Sequence, residues 1–133
     1  AHVGISKEYN IFELQKALIR KDQLQVNKIV NYFEANTKKN PVIPMVAFLY
    51  SFFSKVLIAS SSPDKSDNGI ATFLKINRYF AGDYSITLRN YSGKQIINTI
   101  SLLKQTDLKL KGVDSGDASE GQLLRELVLR MMM

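Results

Sequence analysis

The chain has 133 residues, 45% hydrophobic and 23% charged, with 18 Lys+Arg against 12 Asp+Glu and a formal net charge of +6. That length suits one domain with a real core, and the composition excludes disordered and collagen-like classes. Disulfides and thiolate metal sites are excluded as well, since there is no cysteine, which fits a reducing compartment.

The opening, Ala1-His2-Val3-Gly4-Ile5-Ser6-Lys7-Glu8, has no initiator Met and no apolar signal core, so residues 1–133 are expected to be one helical domain excised from a longer chain. Asn10 followed three residues later by Glu13 has capping-box spacing and opens a helix with Ile11, Leu14 and Leu18 on one face. Asp22 caps a second helix, whose Val26, Ile29, Val30 and Phe33 form a stripe of helical period; it should stop within residues 36–40. Asn40-Pro41 reads as an N-cap and first-turn pair, with Pro44 able to shift the start by one turn. The third helix, to about Ser60, is apolar on most sides through Met45, Val46, Phe48, Leu49, Phe52, Phe53, Val56 and Leu57, which predicts a place in the middle of a bundle. A membrane span needs about 20 predominantly apolar residues. Residues 41–59 include Pro44, Ser51, Ser54 and Lys55, so a buried helix is the better reading.

Residues 60–68 form a polar loop, after which Asn68 caps a short helix carrying Ile70, Phe73 and Leu74. Residues 77–91, with Tyr79, Phe80, Tyr84 and Leu88, predict one further helix or two short ones. Ser92 with Gln95 repeats the capping-box spacing before a long helix bearing Ile96, Ile100 and Leu103, closed by Lys111 and a C′ glycine, Gly112. Asp117 with Glu120 opens the last helix, striped by Leu123, Leu124, Leu127, Val128 and Met131. No strand of period two and no repeat of solenoid length appears. The predicted fold is an all-α bundle of six or seven helices.

Little in the chain points to chemistry. His2 is the only histidine and sits at a terminus, which disfavours a His-based triad, metal cage or general base. Residues 64–69 resemble a calcium loop, but Lys75 stands where the pattern wants a bidentate Glu. Gly93-Lys94 resembles the end of a phosphate loop, but Leu88 replaces the first glycine and no strand precedes it. Asn90-Tyr91-Ser92 spells a glycosylation sequon and is read as a helix boundary. No catalytic residue, metal or cofactor is expected, nor nucleotide hydrolysis.

Basic groups are spread thinly: seven against four acidic in residues 1–40, five against three in 41–90, six against five in 91–133. That distribution describes a solvated surface better than a nucleic-acid stripe. Phe33, Phe48, Phe52 and Phe73 lie at core spacing, whereas Tyr9, Tyr79 and Tyr84 are open for an interface.

Several stretches resemble a known family. They are Tyr9-Asn10-Ile11-Phe12-Glu13-Leu14-Gln15-Lys16-Ala17, then Val30-Asn31-Tyr32-Phe33-Glu34-Ala35-Asn36 and Lys39-Asn40-Pro41. Further on come Leu49-Tyr50-Ser51-Phe52-Phe53-Ser54-Lys55, Tyr79-Phe80 and Arg89-Asn90-Tyr91-Ser92. The last are Asp107-Leu108-Lys109-Leu110-Lys111-Gly112 and Leu123-Leu124-Arg125-Glu126-Leu127. In this order they resemble the C-terminal third of the delta subunits of bacterial DNA polymerase III. The resemblance implies a clamp-loader subunit of AAA+ layout without a working nucleotide site, in a cytoplasmic bacterial machine that opens the sliding clamp and places it on primed DNA. This stretch would be the collar domain, packing with the other clamp-loader subunits. Sliding-clamp contacts belong to an N-terminal domain outside it, so no clamp-binding residue is carried over. Contact with primed DNA would be indirect, and no membrane is involved. The loop Gly112-Val113-Asp114 has no aromatic, which speaks against base stacking there.

Adjacent apolar pairs Ile96-Ile97, Leu102-Leu103 and Leu123-Leu124 widen the stripes of the last two helices. A widened stripe suits either a partner or a bundle wrapping it on two sides. The candidate subunit interface is Ile97, Leu102, Arg125, Arg130, Tyr79 and Tyr84, and the candidate DNA-facing groups are Lys109 and Lys111. Charge reversal at Arg125 and Arg130 is expected to weaken assembly without changing the melting temperature. Two other readings stand beside the collar: a stand-alone helical nucleic-acid-binding domain, and a helical enzyme domain whose site a partner completes.

Overall fold

The structure is a computed structural model and describes residues 8–114 and 116–133; His2 and the rest of the opening segment lie outside them. Among the described residues there are seven helices and no strand: α1 (Ile11–Ile19), α2 (Gln23–Ala35), α3 (Val42–Ala59), α4 (Asp67–Leu74), α5 (Arg78–Asn90), α6 (Gly93–Leu110) and α7 (Glu120–Met131). α3 packs against α1, α4, α5, α6 and α7, while α2 lies between α1 and α7. One apolar core takes residues from all seven helices, with Leu18, Phe33, Leu49, Phe53, Ile70, Tyr84, Leu103 and Leu124 among them.

Local chemistry sets most helix starts. Asn10 with Glu13 and Ser92 with Gln95 form complete capping boxes, and Asp22 accepts the Gln25 N–H. Three starts differ from the sequence expectation. At α3 the N-cap is Pro41, because the Asn40 amide donates to the Asn36 carbonyl instead of capping. Pro44 does not shift this start: it sits in the first turn, whose N–H groups lack intrahelical partners anyway. The Val42 N–H is met from across the chain by Glu120 Oε1 at 2.7 Å. At α4 the cap is Ser66 rather than Asn68. At α7 it is Ser119, boxed with Gln122, rather than Asp117, which leaves Glu120 for α3. Residues 78–90 form one helix, not two.

Helix ends follow the same logic. Past α6, the Gly112 N–H reaches the Lys109 carbonyl at 3.0 Å and the Val113 N–H the Leu108 carbonyl at 3.0 Å, with Gly112 at φ +96. This Schellman pattern needs the left-handed conformation that glycine adopts without strain. α1 ends against residues 90 and 91: the Asn90 amide donates to the Ile19 carbonyl at 2.8 Å, and the Tyr91 hydroxyl to the Leu18 carbonyl at 2.7 Å. The spelled sequon is thus a helix boundary whose exposed asparagine side chain is spent on the end of α1.

α3 departs from the expectation of burial all round. By length and composition it could cross a membrane, and Leu49, Phe53 and Val56 are fully buried in the core. Yet Ile43, Tyr50 and Leu57, seven residues apart, stay partly open together with Ile58. A helix facing five neighbours still has an outer side, and here that side is apolar.

Candidate interaction surfaces

α6 and α7 run side by side, and between them lies a small cleft of about 20 Å³ lined by Leu102, Gln105, Thr106, Lys109, Leu123, Glu126, Leu127 and Arg130. Three of the sequence-selected residues, Leu102, Lys109 and Arg130, therefore meet at one groove. Arg130 is exposed and pairs with Glu126 one turn back at 3.2 Å. Ile97 is exposed on α6, as are Leu108 on α6 and Leu129 on α7. Lys111 is exposed and pairs with Asp107 at 2.9 Å, so its charge is partly answered within its own helix.

Arg125 is placed differently from its expected rim position. Its guanidinium reaches Glu34 at 2.7 Å and the Asn31 side chain at 2.5 Å, both on α2. Nearby, Gly121 brings α7 close to α2: a Cβ there would lie 2.8 Å from Glu34 Cγ and 3.3 Å from its Cα. Arg125 thus fastens α7 to α2, and reversing its charge would set two carboxylates together. Charge reversal at Arg125 is therefore expected to lower the melting temperature as well.

Tyr79 and Tyr84, one and a half turns apart on α5, have opposite environments. Tyr84 is buried and stacks on Phe52 with ring centroids 5.0 Å apart, so it offers nothing to a partner. Burial, then the neighbouring Asp83 charge, push its phenol pKa up. Tyr79 is 85% exposed and packs edge to face at 5.2 Å on Phe80, itself 61% exposed. Tyr9 packs edge to face on Tyr32 at 5.7 Å. Phe48 and Phe73 were expected in the core; Phe48 is half-buried under an exposed Phe12, and Phe73 is exposed.

The loop resembling a calcium site spends its carboxylates on structure. Asp64 accepts the Ser66 N–H at 2.9 Å, which is the main reason its pKa lies below the usual range, with the Ser66 side chain adding to it. Asp67 accepts the Ser85 hydroxyl at 2.6 Å. An open cleft of about 360 Å³ beside this loop is lined by Ser62, Pro63, Asp64, Asn68, Gly69, Thr72 and Phe73.

Sequence reasoning missed the outer stripe of α3. The signal was present as the seven-residue spacing of Ile43, Tyr50 and Leu57, obscured by the apolar residues between them.

Capped helices around one core, with large apolar side chains left on the outer faces of α3, α5, α6 and α7, define an all-α helical bundle. The particular likeness is to the solved structure of the Bacillus subtilis DNA clamp loader delta protein (YqeN), with a TM-score of 0.71 and 22% identity over 98% of this chain. The chain spans 38% of the length of that protein. No family model matches the sequence, and no curated protein matches it either.

Proposed function

We propose that this chain is a collar module of a clamp-loader delta-type subunit, a domain that joins neighbouring subunits of the machine and does no chemistry of its own. The observation that carries this reading is the agreement of fold with a clamp loader delta protein along 98% of the chain. It is supported by the collinear residues that resemble the delta subunits and by exposed apolar side chains such as Ile97, Leu108 and Leu129 on the last two long helices. Interfaces that hold subunits together combine such an apolar centre with a polar rim, and Arg130 with Glu126 would supply part of that rim.

On this reading the partners are the other clamp-loader subunits, the setting is bacterial and cytoplasmic, and the sliding clamp is engaged by a different domain. Primed DNA would be held by the assembly, with Lys109 and Lys111 on the side considered for it. The test is reconstitution: the chain mixed with clamp-loader subunits of its own source should co-elute with them at physiological salt. An Arg130→Glu variant should assemble more weakly while melting as the parent does.

A further inference from the structure

We propose that the corner between α4 and α5 binds single-stranded nucleic acid, Tyr79 and Phe80 stacking on bases while Lys75 and Arg78 meet phosphates. Within eight consecutive residues the chain exposes Phe73 at 41%, Tyr79 at 85% and Phe80 at 61%. An edge-to-face pair leaves at least one face of each ring open, and here the rings meet at 84°. Open aromatic faces beside cations are what sequence-tolerant single-strand binding uses.

The charges around the rings point the same way. No acidic residue occurs between Asp67 and Asp83, while Lys75 and Arg78 both lie in that interval. The two flanking acids are already engaged, Asp67 by the Ser85 hydroxyl at 2.6 Å and Asp83 by Lys16 at 3.2 Å. Lys75 sits in the left-handed conformation, φ 57, ending α4 where glycine costs least. α1 also ends in a left-handed lysine, but Lys21 places its ammonium 4.5 Å over the Tyr91 ring. Among the described residues no hydrogen bond, ion pair or ring contact engages the Lys75 or Arg78 side chain, and both are exposed.

An acidic peptide would match the charge but not the shape. Peptide anchors need a socket, and these rings protrude, Tyr79 at 85% and Phe80 at 61% exposed. Nucleic acid brings flat bases and phosphates together. The inference does not rest on the collar reading, since it needs no neighbouring subunit.

Fluorescence anisotropy of the 133-residue chain with fluorescein-labelled oligothymidylate and oligouridylate tests it. Saturable binding of either strand at low salt is expected, the two probes separating DNA from RNA. Tyr79→Ala and Phe80→Ala should each weaken binding roughly tenfold, and Tyr79→Phe should retain it. Arg78→Gln should flatten the salt dependence by a slope of about 0.7. Circular dichroism should show unchanged folding in all four variants. No saturable binding, or binding that the double alanine variant leaves intact, would overturn the proposal. So would a parent that binds neither strand while the double variant loses assembly with clamp-loader subunits, which would make the corner a protein interface.

Discussion

Tyr91 closes α1 from across the bundle, and burial pushes its phenol pKa up to about 12 from 10.0. A group that holds its proton more tightly when folded contributes stability that is complete below the unfolded value. That contribution is lost as pH rises from 10.0 towards about 12. Tyr91→Phe leaves the Leu18 carbonyl with the Lys21 N–H at 3.1 Å and should cost about 0.5–1.5 kcal/mol near neutral pH. It should also flatten the alkaline limb of a melting temperature against pH curve; a variant that melts like the parent at every pH would refute this. The two arginines of α7 make a matched pair of tests. Arg125→Glu faces Glu34 and should lower the melting temperature by several degrees, whereas Arg130→Glu should stay within about 0.5 kcal/mol, as exposed substitutions usually do. Equal effects at the two positions, read by thermal denaturation, would mean the Arg125–Glu34 pair contributes nothing.

The helices themselves were largely legible, because their stripes and caps are local. Val26, Ile29, Val30 and Phe33 are all buried, as their spacing predicts, and so are Leu123, Leu124, Leu127, Val128 and Met131. What misled was competition between equivalent local signals. Asp117 with Glu120 and Ser119 with Gln122 have the same spacing, and the choice is made by α3, whose first N–H needs Glu120. Asn40 was likewise drawn off to the end of α2. These decisions depend on contacts distant in sequence and leave no periodic trace. The same blindness applied to surfaces: exposed Tyr79 and buried Tyr84 look alike in sequence, and only the packing of α5 on α3 separates them. At this scale two substitutions probe the packing. Phe53→Ala, in the fully buried heart of α3, should cost about 3–5 kcal/mol. Glu120→Gln keeps a carbonyl for the Val42 N–H and should be milder than Glu120→Ala, which uncaps α3 at a typical cost of ~1 kcal/mol. Chemical denaturation measures both, and a Phe53→Ala loss below about 1 kcal/mol would move α3 out of the centre of the core.

For the molecule as a whole, the fold follows from capped amphipathic helices closing over α3, and the proposed function follows from what that closure leaves outside. The net charge of +6 is distributed over the chain rather than gathered on one helix. On the collar reading, the apolar side chains left on α3, α6 and α7 are the surfaces that neighbours would cover. Their number was invisible in the sequence because a core stripe and a contact stripe obey the same period. The collar reading is tested most directly by native mass spectrometry of the chain mixed with clamp-loader subunits from the same source. The account predicts one copy of the chain in a discrete complex at physiological salt, lost on Ile97→Glu with Leu108→Glu. A chain that stays monomeric beside a fully assembled set of those subunits would contradict it.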